Sequence, residues 1–140
     1  MKCGGRDKVR CKLNEAMFRK VGHRVEHVRE TWRDDSLRLG VEFEIYGLGI
    51  YQGNPMILID PEDNCRPNWY SLSDVTLTEA TVPHEWEVST GFDPRSWTLL
   101  LGYSLLVRSD AHFDGILERD DDELVAFYRM KKARQSQGSA

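Results

Sequence analysis

Residues 37–86 decide the fold class of this chain, and they read LRLGVEFEIYGLGIYQGNPMILIDPEDNCRPNWYSLSDVTLTEATVPHEW. Between residues 41 and 46, apolar and mostly acidic side chains alternate, which is the period of a strand with one buried face. A polar turn at residues 52–55 then separates this strand from a second apolar run. Further strands are predicted at 56–59, 68–72 and 75–78, and residues 82–86 close the series. Short strands joined as a meander predict a small antiparallel barrel or a strongly bent sheet.

The flanking segments predict one more strand and two helices. Residues 9–13 alternate in polarity and predict a first strand. Apolar residues then recur at spacings of four, four, three and four, which form one stripe on a helix; they are Met17, Val21, Val25, Val28 and Trp32. We therefore predict an amphipathic helix at about 15–33, with Asn14 as its N-cap. Acids at 120–123 and bases near the chain end predict a second helix at about 121–134.

The segment between these strands and the last helix is less clearly patterned. The run 97–107 is so apolar that periodicity does not separate one or two strands from a helix. A short helix is predicted through Phe113, Ile116 and Leu117. Together the patterns predict a mainly β, α+β chain with one domain over residues 1–134, a core at about 37–107 and a flexible tail at 135–140.

The composition is typical of a soluble globular protein, with 140 residues, 40% of them hydrophobic and 30% charged. The longest apolar run, residues 97–107, is about half the length that a membrane-spanning helix needs. The first residues, MKCGGRD, carry no apolar signal segment. Three cysteines give no paired disulfide framework. We therefore expect a cytoplasmic protein that has no membrane partner.

Charge is distributed in blocks along the chain. Residues 1–33 carry ten Lys/Arg and four acids, a net charge of +6. Residues 34–127 carry five Arg and nineteen acids, a net charge of −14, and residues 128–140 carry four bases and no acid. An acidic body suits a basic partner and disfavours contact with a phosphate backbone. Acids that serve solubility alone would give the same pattern.

Two cysteines and two histidines tempt a metal interpretation: Cys3, Cys11, His23 and His27. The His pair is four residues apart, which would place both imidazoles on one face of a helix. The cysteines, however, are eight positions apart, wider than the spacing typical of zinc sites. The predicted helix also turns its histidines away from the apolar stripe and toward water. We predict no metal site.

No pattern indicates a cofactor or a catalytic centre. The glycines at 47, 49 and 53 do not match the dinucleotide fingerprint and are followed by a strand, so they are expected to relieve crowding at a bend or bulge. No nucleophile elbow or Cys/His signature is present. His84 and His112 have acidic neighbours in sequence, but adjacency does not supply the geometry of acid–base catalysis. We expect a protein that is not an enzyme.

An acidic loop followed by an aromatic pair is the best candidate for a binding site. Trp69 and Tyr70 follow the acidic loop at 60–67, and side chains of this kind can grip a basic peptide. Because neighbouring strand residues point to opposite faces, at least one of the pair must fill the core, and Trp86 is expected to do so as well. The predicted partner-binding residues are Asp60, Glu62, Asp63, Trp69, Tyr70, Glu85 and Glu87.

Several of these segments carry a family resemblance. Residues 37–40 (LRLG) and 43–45 (FEI) resemble the opening of a group of small bacterial SH3-like proteins. Residues 57–60 (ILID), 69–72 (WYSL) and 82–86 (VPHEW) follow in the same order, and 9–11 (VRC) are similar to the first strand. The group resembles immunity-type products encoded beside polymorphic toxins and has no catalytic residues to transfer. In this chain the predicted helix is an insertion, and Val41 stands where a lysine is commoner.

The resemblance and the charge pattern together give the functional expectation. The chain is expected to be a protein-binding module, most concretely an immunity protein that occludes a cognate basic toxin domain through its acidic, aromatic-containing surface. The alternative is a nucleic-acid-binding module that uses the basic segments 1–33 and 128–134, although the acidic body makes a nucleic-acid partner the weaker expectation.

Overall fold

The computed structural model of the chain describes residues 8–21, 24–27, 33–34, 37–92 and 97–138. Within these ranges it has ten strands, one 3-10 turn and three α-helices. The strands are β1 (Val9–Leu13), β2 (Phe18–Val21), β3 (Arg24–His27), β4 (Arg33–Asp34), β5 (Phe43–Tyr51), β6 (Asn54–Ile59), β7 (Asn68–Ser71), β8 (Val75–Ala80), β9 (Glu87–Phe92) and β10 (Trp97–Gly102). The 3-10 turn is Leu72–Asp74, and the helices are α1 (Ser104–Arg108), α2 (Asp110–Leu117) and α3 (Asp121–Gly138).

Strand β5 is the centre of a seven-stranded antiparallel sheet. The order is β7-β6-β5-β1-β8, and β10 and β9 extend the sheet from the second half of β5. On one edge β5 pairs first with β1, where Cys11 faces Phe43, and then with β10, where Gly102 faces Gly47. A register shift against β6 lies between Ile45 and Gly47. The mainly β, α+β class is therefore confirmed.

The sheet is open, so the barrel alternative of the prediction is wrong. Among the described strands, β7 and β8 lie at opposite ends of the order and do not pair with each other. The chain after β8 does not fill the gap between them. It forms β9 and β10, which instead extend the sheet beside β5.

Both faces of the central strands are buried, which gives the sheet two apolar cores. In β6, Ile57 and Ile59 enter the first core, and Leu58 enters the second. This explains the unbroken apolar run in β6, because a strand covered on both faces has no solvent side to mark with polar residues. Trp86 is buried in the first core, as predicted. The second core lies against residues of all three helices.

The predicted N-terminal helix is wrong for the described residues of 15–33. Residues 15–17 form a turn, and β2 and β3 form an antiparallel hairpin in which Phe18 pairs with His27. Val21 and Val25, four positions apart, lie on different strands, β2 and β3, so their helix-like spacing arises across the connection between two strands. The recurring residue is valine, which favours strands. The side chain of Asn14 accepts the N–H of Ala16 at 3.0 Å, so it stabilises a turn instead of a helix start.

The C-terminal half is more helical than the predicted core allowed for. Within the predicted core at about 37–107, the last strand ends at Gly102. Residues 104–107 of the apolar run belong instead to the helix α1. The predicted short helix exists as α2, although Leu117 is exposed. Helix α3 begins at Asp121 as predicted and continues to Gly138, four residues beyond the predicted end. The carboxylate of Asp120 accepts the N–H of Glu123 and caps it.

The glycines of β5 stand where the sheet meets bulky side chains, as predicted. A Cβ at Gly49 would overlap the indole of Trp97, and one at Gly47 would lie 2.7 Å from Leu106. Gly53 has a φ of +82° and forms the tight turn between β5 and β6. These positions therefore serve packing and turn geometry.

Candidate interaction surface

The loop between β6 and β7, residues 60–67, is organised around one buried carboxylate. The Asp60 side chain is 1% exposed and accepts the backbone N–H groups of residues 64–66 at 2.8–3.3 Å. Asp63 and Cys65 adopt positive φ angles of 55° and 63°. Left-handed backbone costs a non-glycine residue about 1–2 kcal/mol. The bonds to Asp60 offset this cost and hold the loop in one conformation.

Helix α3 is joined to this loop through Lys131. Its Nζ donates to Oδ2 of Asp60 at 2.6 Å and also contacts Oδ1 of Asp63. Burial alone would lower the pKa of Lys131, but the hydrogen bonds and charges of the two carboxylates raise it above its ordinary value. The lysine therefore stays charged inside the protein, because it is paired on both sides.

A second junction lies one turn further along α3. Arg134 donates to Oε2 of Glu44 at 2.7 and 3.1 Å, and to Oε2 of Glu85 at 2.6 Å. In the helix before α2, Arg108 donates to Glu87, and this hydrogen bond lowers the pKa of the Glu87 carboxyl. Basic residues of the helices therefore neutralise carboxylates of the acidic segment within the molecule.

The predicted aromatic anchors lie mainly against the protein interior. The Trp69 ring centroid is 4.7 Å from that of Trp97 and 6.0 Å from that of Phe113, within the second core. Tyr70 packs against the first core, on the opposite face of the sheet. Both are half-buried. We expected at least one of the two aromatic residues to pack into the core. Both pack against a core, one on each face of the sheet.

The structure divides the seven predicted partner-binding residues by role. Asp60 is enclosed in its loop, Trp69 and Tyr70 pack on the cores, and Glu85 and Glu87 bind arginines of the helices. Glu62 and Asp63 remain exposed, and the Asp63 side chain is 77% exposed even though it contacts Lys131. Asp60, Glu62 and Asp63 are brought together on one loop, whereas Glu85 lies just before β9 and Glu87 is its first residue.

Sequence reasoning missed a groove between this loop and α3. The groove has a volume of about 300 Å³ and is lined by loop residues 64–66 and, on the helix, by Asp121, Leu124, Val125 and Tyr128. The helical residues are spaced three, four and seven positions from the first, which is one face of a helix. That spacing was readable in the sequence. Tyr128, at the far end of this face, is 47% exposed.

A buried hydrogen-bonded chain of Tyr103, His112 and Glu123 joins α1, α2 and α3. Because a carboxylate only accepts, Nδ1–H of His112 donates to Oε1 of Glu123, and Nε2 accepts the Tyr103 hydroxyl, both at 2.8 Å. Burial lowers the pKa of His112, and Glu123 offsets this only in part. Burial likewise raises the pKa of Tyr103 well above its ordinary value. His112 is 0% exposed, whereas the Glu123 side chain is 26% exposed, so this chain of groups reaches solvent only through that carboxylate.

The residues weighed for metal or acid–base chemistry are not assembled into a site within the described ranges. No group of three or more His, Cys, Asp and Glu side chains there is placed to hold a metal ion. Cys11 is buried, which raises the pKa of its thiol to about 12, while Cys3 and His23 lie outside the described residues. The side chain of His84 is 93% exposed, 3.7 Å from Glu85.

The chain was compared with family models, with curated proteins and with solved structures. None of them matches. Within the described residues, no helix is both long enough and apolar enough to cross a membrane.

Proposed function

We propose that the chain is a non-catalytic protein-binding module, most concretely an immunity protein that binds and occludes a cognate basic bacterial toxin in the cytoplasm. The observation that carries this proposal is the acidic loop 60–67, held in one conformation by Asp60 and Lys131 with Glu62 and Asp63 facing solvent. A preformed loop loses little conformational entropy on binding. Its exposed carboxylates speed encounter with a basic surface.

The placement of the histidines supports a role without catalysis. A general base must reach the proton that it removes, directly or through one water. His112 has no exposed surface, and both of its ring nitrogens are already hydrogen-bonded. The other histidine with a described side chain, His84, is almost fully exposed beside a glutamate.

The ion pairs of α3 weigh against the nucleic-acid alternative. Two of the four basic residues in the C-terminal segment, Lys131 and Arg134, are buried and bound to carboxylates. Phosphate binding needs exposed lysine and arginine side chains, which displace the counterions condensed on the nucleic acid. That function would therefore depend mainly on the basic residues before position 34.

An SH3-like relationship is the finer fold proposal that goes with this function. It is supported by the meander β5-β6-β7, the 3-10 turn that follows it, and the return of β8 to pair with β1. An experimentally determined structure in which these five strands superpose on an SH3-like domain would support it. A different strand order would overturn it.

The functional proposal is tested with the product of the gene adjacent to this one. The two purified proteins are mixed, and the association rate is measured as NaCl rises from about 50 to about 300 mM, over which surface charges become screened. We expect a rate that falls steeply with salt, and co-expression that restores growth to cells making the toxin. No association, or no rescue, would contradict the proposal, and salt-insensitive binding would remove the role of charge.

The nucleic-acid alternative has a separate test. A gel shift with a short DNA duplex and a short RNA at low salt should show no retardation of either probe. Retardation that weakens steeply as salt is added would favour the alternative.

A further inference from the structure

The groove between the 60–67 loop and α3 combines apolar contacts with an accessible surface. Leu124 is buried within it, while Val125 and Tyr128 on the same wall are 46% and 47% exposed. Val125 and Tyr128 are three residues apart, so they are neighbours on the helix surface. Large apolar side chains exposed beside a concavity are typical of places where another protein docks.

Both walls of the groove are fixed by the same ion pair. The loop wall is held by Asp60, which accepts three backbone N–H groups from residues 64–66. The helical wall is tied to that carboxylate by Lys131. On the loop side, Arg119 donates to the carbonyl of Pro67 and to the side chain of Asn68, each at 2.7 Å. The groove therefore exists before any partner arrives, and binding requires little ordering.

The size and charge of the groove indicate what it would accept. Its volume of about 300 Å³ is at the lower limit of small-molecule sites and suits a single large side chain. The exposed acids Glu62 and Asp63 belong to the loop, and Asp121 and Asp122 belong to the first turn of α3. Two cations oppose these four acids: Arg66, which lines the groove, and Lys132, which lies over the Tyr128 ring. An excess of carboxylates around an apolar groove complements lysine and arginine flanking an apolar residue.

We propose that this groove is the docking site for a basic segment of a partner protein, which inserts one apolar side chain beside Val125 and Tyr128. The lysines or arginines on either side of that residue lie against Glu62, Asp63, Asp121 and Asp122. This assignment rests on the protein-binding function proposed above and gives it a site. Lys131 is a positioning residue for the groove, because it sets the separation of the two walls.

The first test uses a defined peptide and the full chain. An isotope-labelled sample is titrated with the acetylated peptide Lys-Lys-Leu-Lys-Lys, and amide shifts are followed by NMR. We expect shifts concentrated at residues 62–66 and 121–128. The peptides Lys-Lys-Ser-Lys-Lys and Glu-Glu-Leu-Glu-Glu should bind at least tenfold more weakly, because one lacks the apolar residue and the other the positive charge. Equal binding of all three, or shifts elsewhere, would overturn the proposal.

Surface variants distinguish specific binding in the groove from nonspecific hydrophobic binding. Val125→Ser and Tyr128→Ser change exposed side chains, so both variants should remain folded by circular dichroism and lose at least tenfold in affinity for the leucine peptide. The matched control is Leu105→Ser, which removes an apolar side chain that is 41% exposed on α1. Equal losses in the control and the groove variants would contradict a specific site.

The same variants distinguish failure of the site from failure of the function. If the adjacent gene product binds the wild type and the two groove variants equally, the groove assignment is wrong while the immunity role stands. If that product does not bind at all but the leucine peptide still maps to the groove, the docking site stands and the immunity role fails.

Discussion

His112 makes the fold sensitive to mild acid, because the folded protein holds it uncharged. Burial lowers its pKa in the folded state below the ordinary 6.5. The unfolded chain therefore binds the proton more readily between that lowered value and 6.5, so folding stability falls as the pH drops through this range. Well above pH 6.5 the histidine is neutral in both states, and its contribution no longer changes.

We expect the wild type to lose free energy of unfolding between about pH 7 and pH 5, and a His112→Gln variant to lose less over the same range. Glutamine stays neutral, so it removes the titration while retaining a donor and an acceptor. Urea denaturation at several pH values measures the difference. His84→Gln, which changes an exposed imidazole, is the control and should follow the wild type. A His112→Gln profile parallel to that of the wild type would contradict the argument.

Lys131 is predicted to matter more to stability than its neighbour of the same type. Lys131→Met removes the ammonium and leaves Asp60 as a buried carboxylate without its cation, which costs about 3–5 kcal/mol. Lys132 is exposed and lies over the Tyr128 ring, 5.6 Å from its centroid. Lys132→Met should therefore cost no more than about 0.5 kcal/mol. Chemical denaturation of both variants at neutral pH measures the two free energies of unfolding. Similar losses in the two variants would contradict a stabilising role for the buried Asp60–Lys131 pair.

At the scale of elements, the hydrophobic period predicted most strands but not the N-terminal hairpin. The strands of residues 37–86 alternate clearly or are short apolar runs between turns, so their existence followed from the sequence. The strands within 15–33 were not predicted, because Val21 and Val25 have the spacing of a helix although they lie on different strands, β2 and β3. Likewise, the boundary between β10 and α1 could not be predicted, because both elements lie in one apolar run without a distinguishing periodicity. Whether such a segment forms a strand or a helix depends on the strands with which it can pair, and these can be distant in sequence.

Helix α3 contributes Phe127 to the second core, which gives a prediction for the element as a whole. Phe127 is fully buried and contacts the rings of Tyr46 and Tyr103, at centroid distances of 5.2 and 6.2 Å. Phe127→Ala should cost about 3–5 kcal/mol, because the helix loses its central contact with the sheet. Val125→Ala, two residues earlier and exposed, is the matched control and should cost under about 0.5 kcal/mol. Thermal or urea unfolding of the pair compares them directly.

At the scale of the whole molecule, charges that are separate blocks in the sequence become partners in the fold. Asp60 and Lys131 are 71 residues apart, and Glu44 and Arg134 are 90 apart. The acidic loop and the basic C-terminal segment are both visible as local patterns of the sequence. These patterns could not show that several of these carboxylates are bound internally, since such pairing depends on tertiary contacts. The exposed part of the candidate site, Glu62 and Asp63, could be predicted from the sequence because it lies in one loop. The groove could not be predicted, because its two walls come from segments that are distant in sequence.

The two cores share strands, and this should make unfolding a single event. β5 contributes Ile45 to the first core and Tyr46 to the second, and β6 is divided in the same way. Neither core can lose its strands while the other keeps them, so we expect one cooperative transition. Trp86 reports on the first core, and Trp69 and Trp97 report on the second. Fluorescence of the variant Trp86→Phe and of the double variant Trp69→Phe/Trp97→Phe, compared with far-UV circular dichroism of each, should give coincident unfolding curves within each variant. Two separated transitions would show that β5 and β6 do not couple the cores, and that the helices of the second core unfold independently of the first.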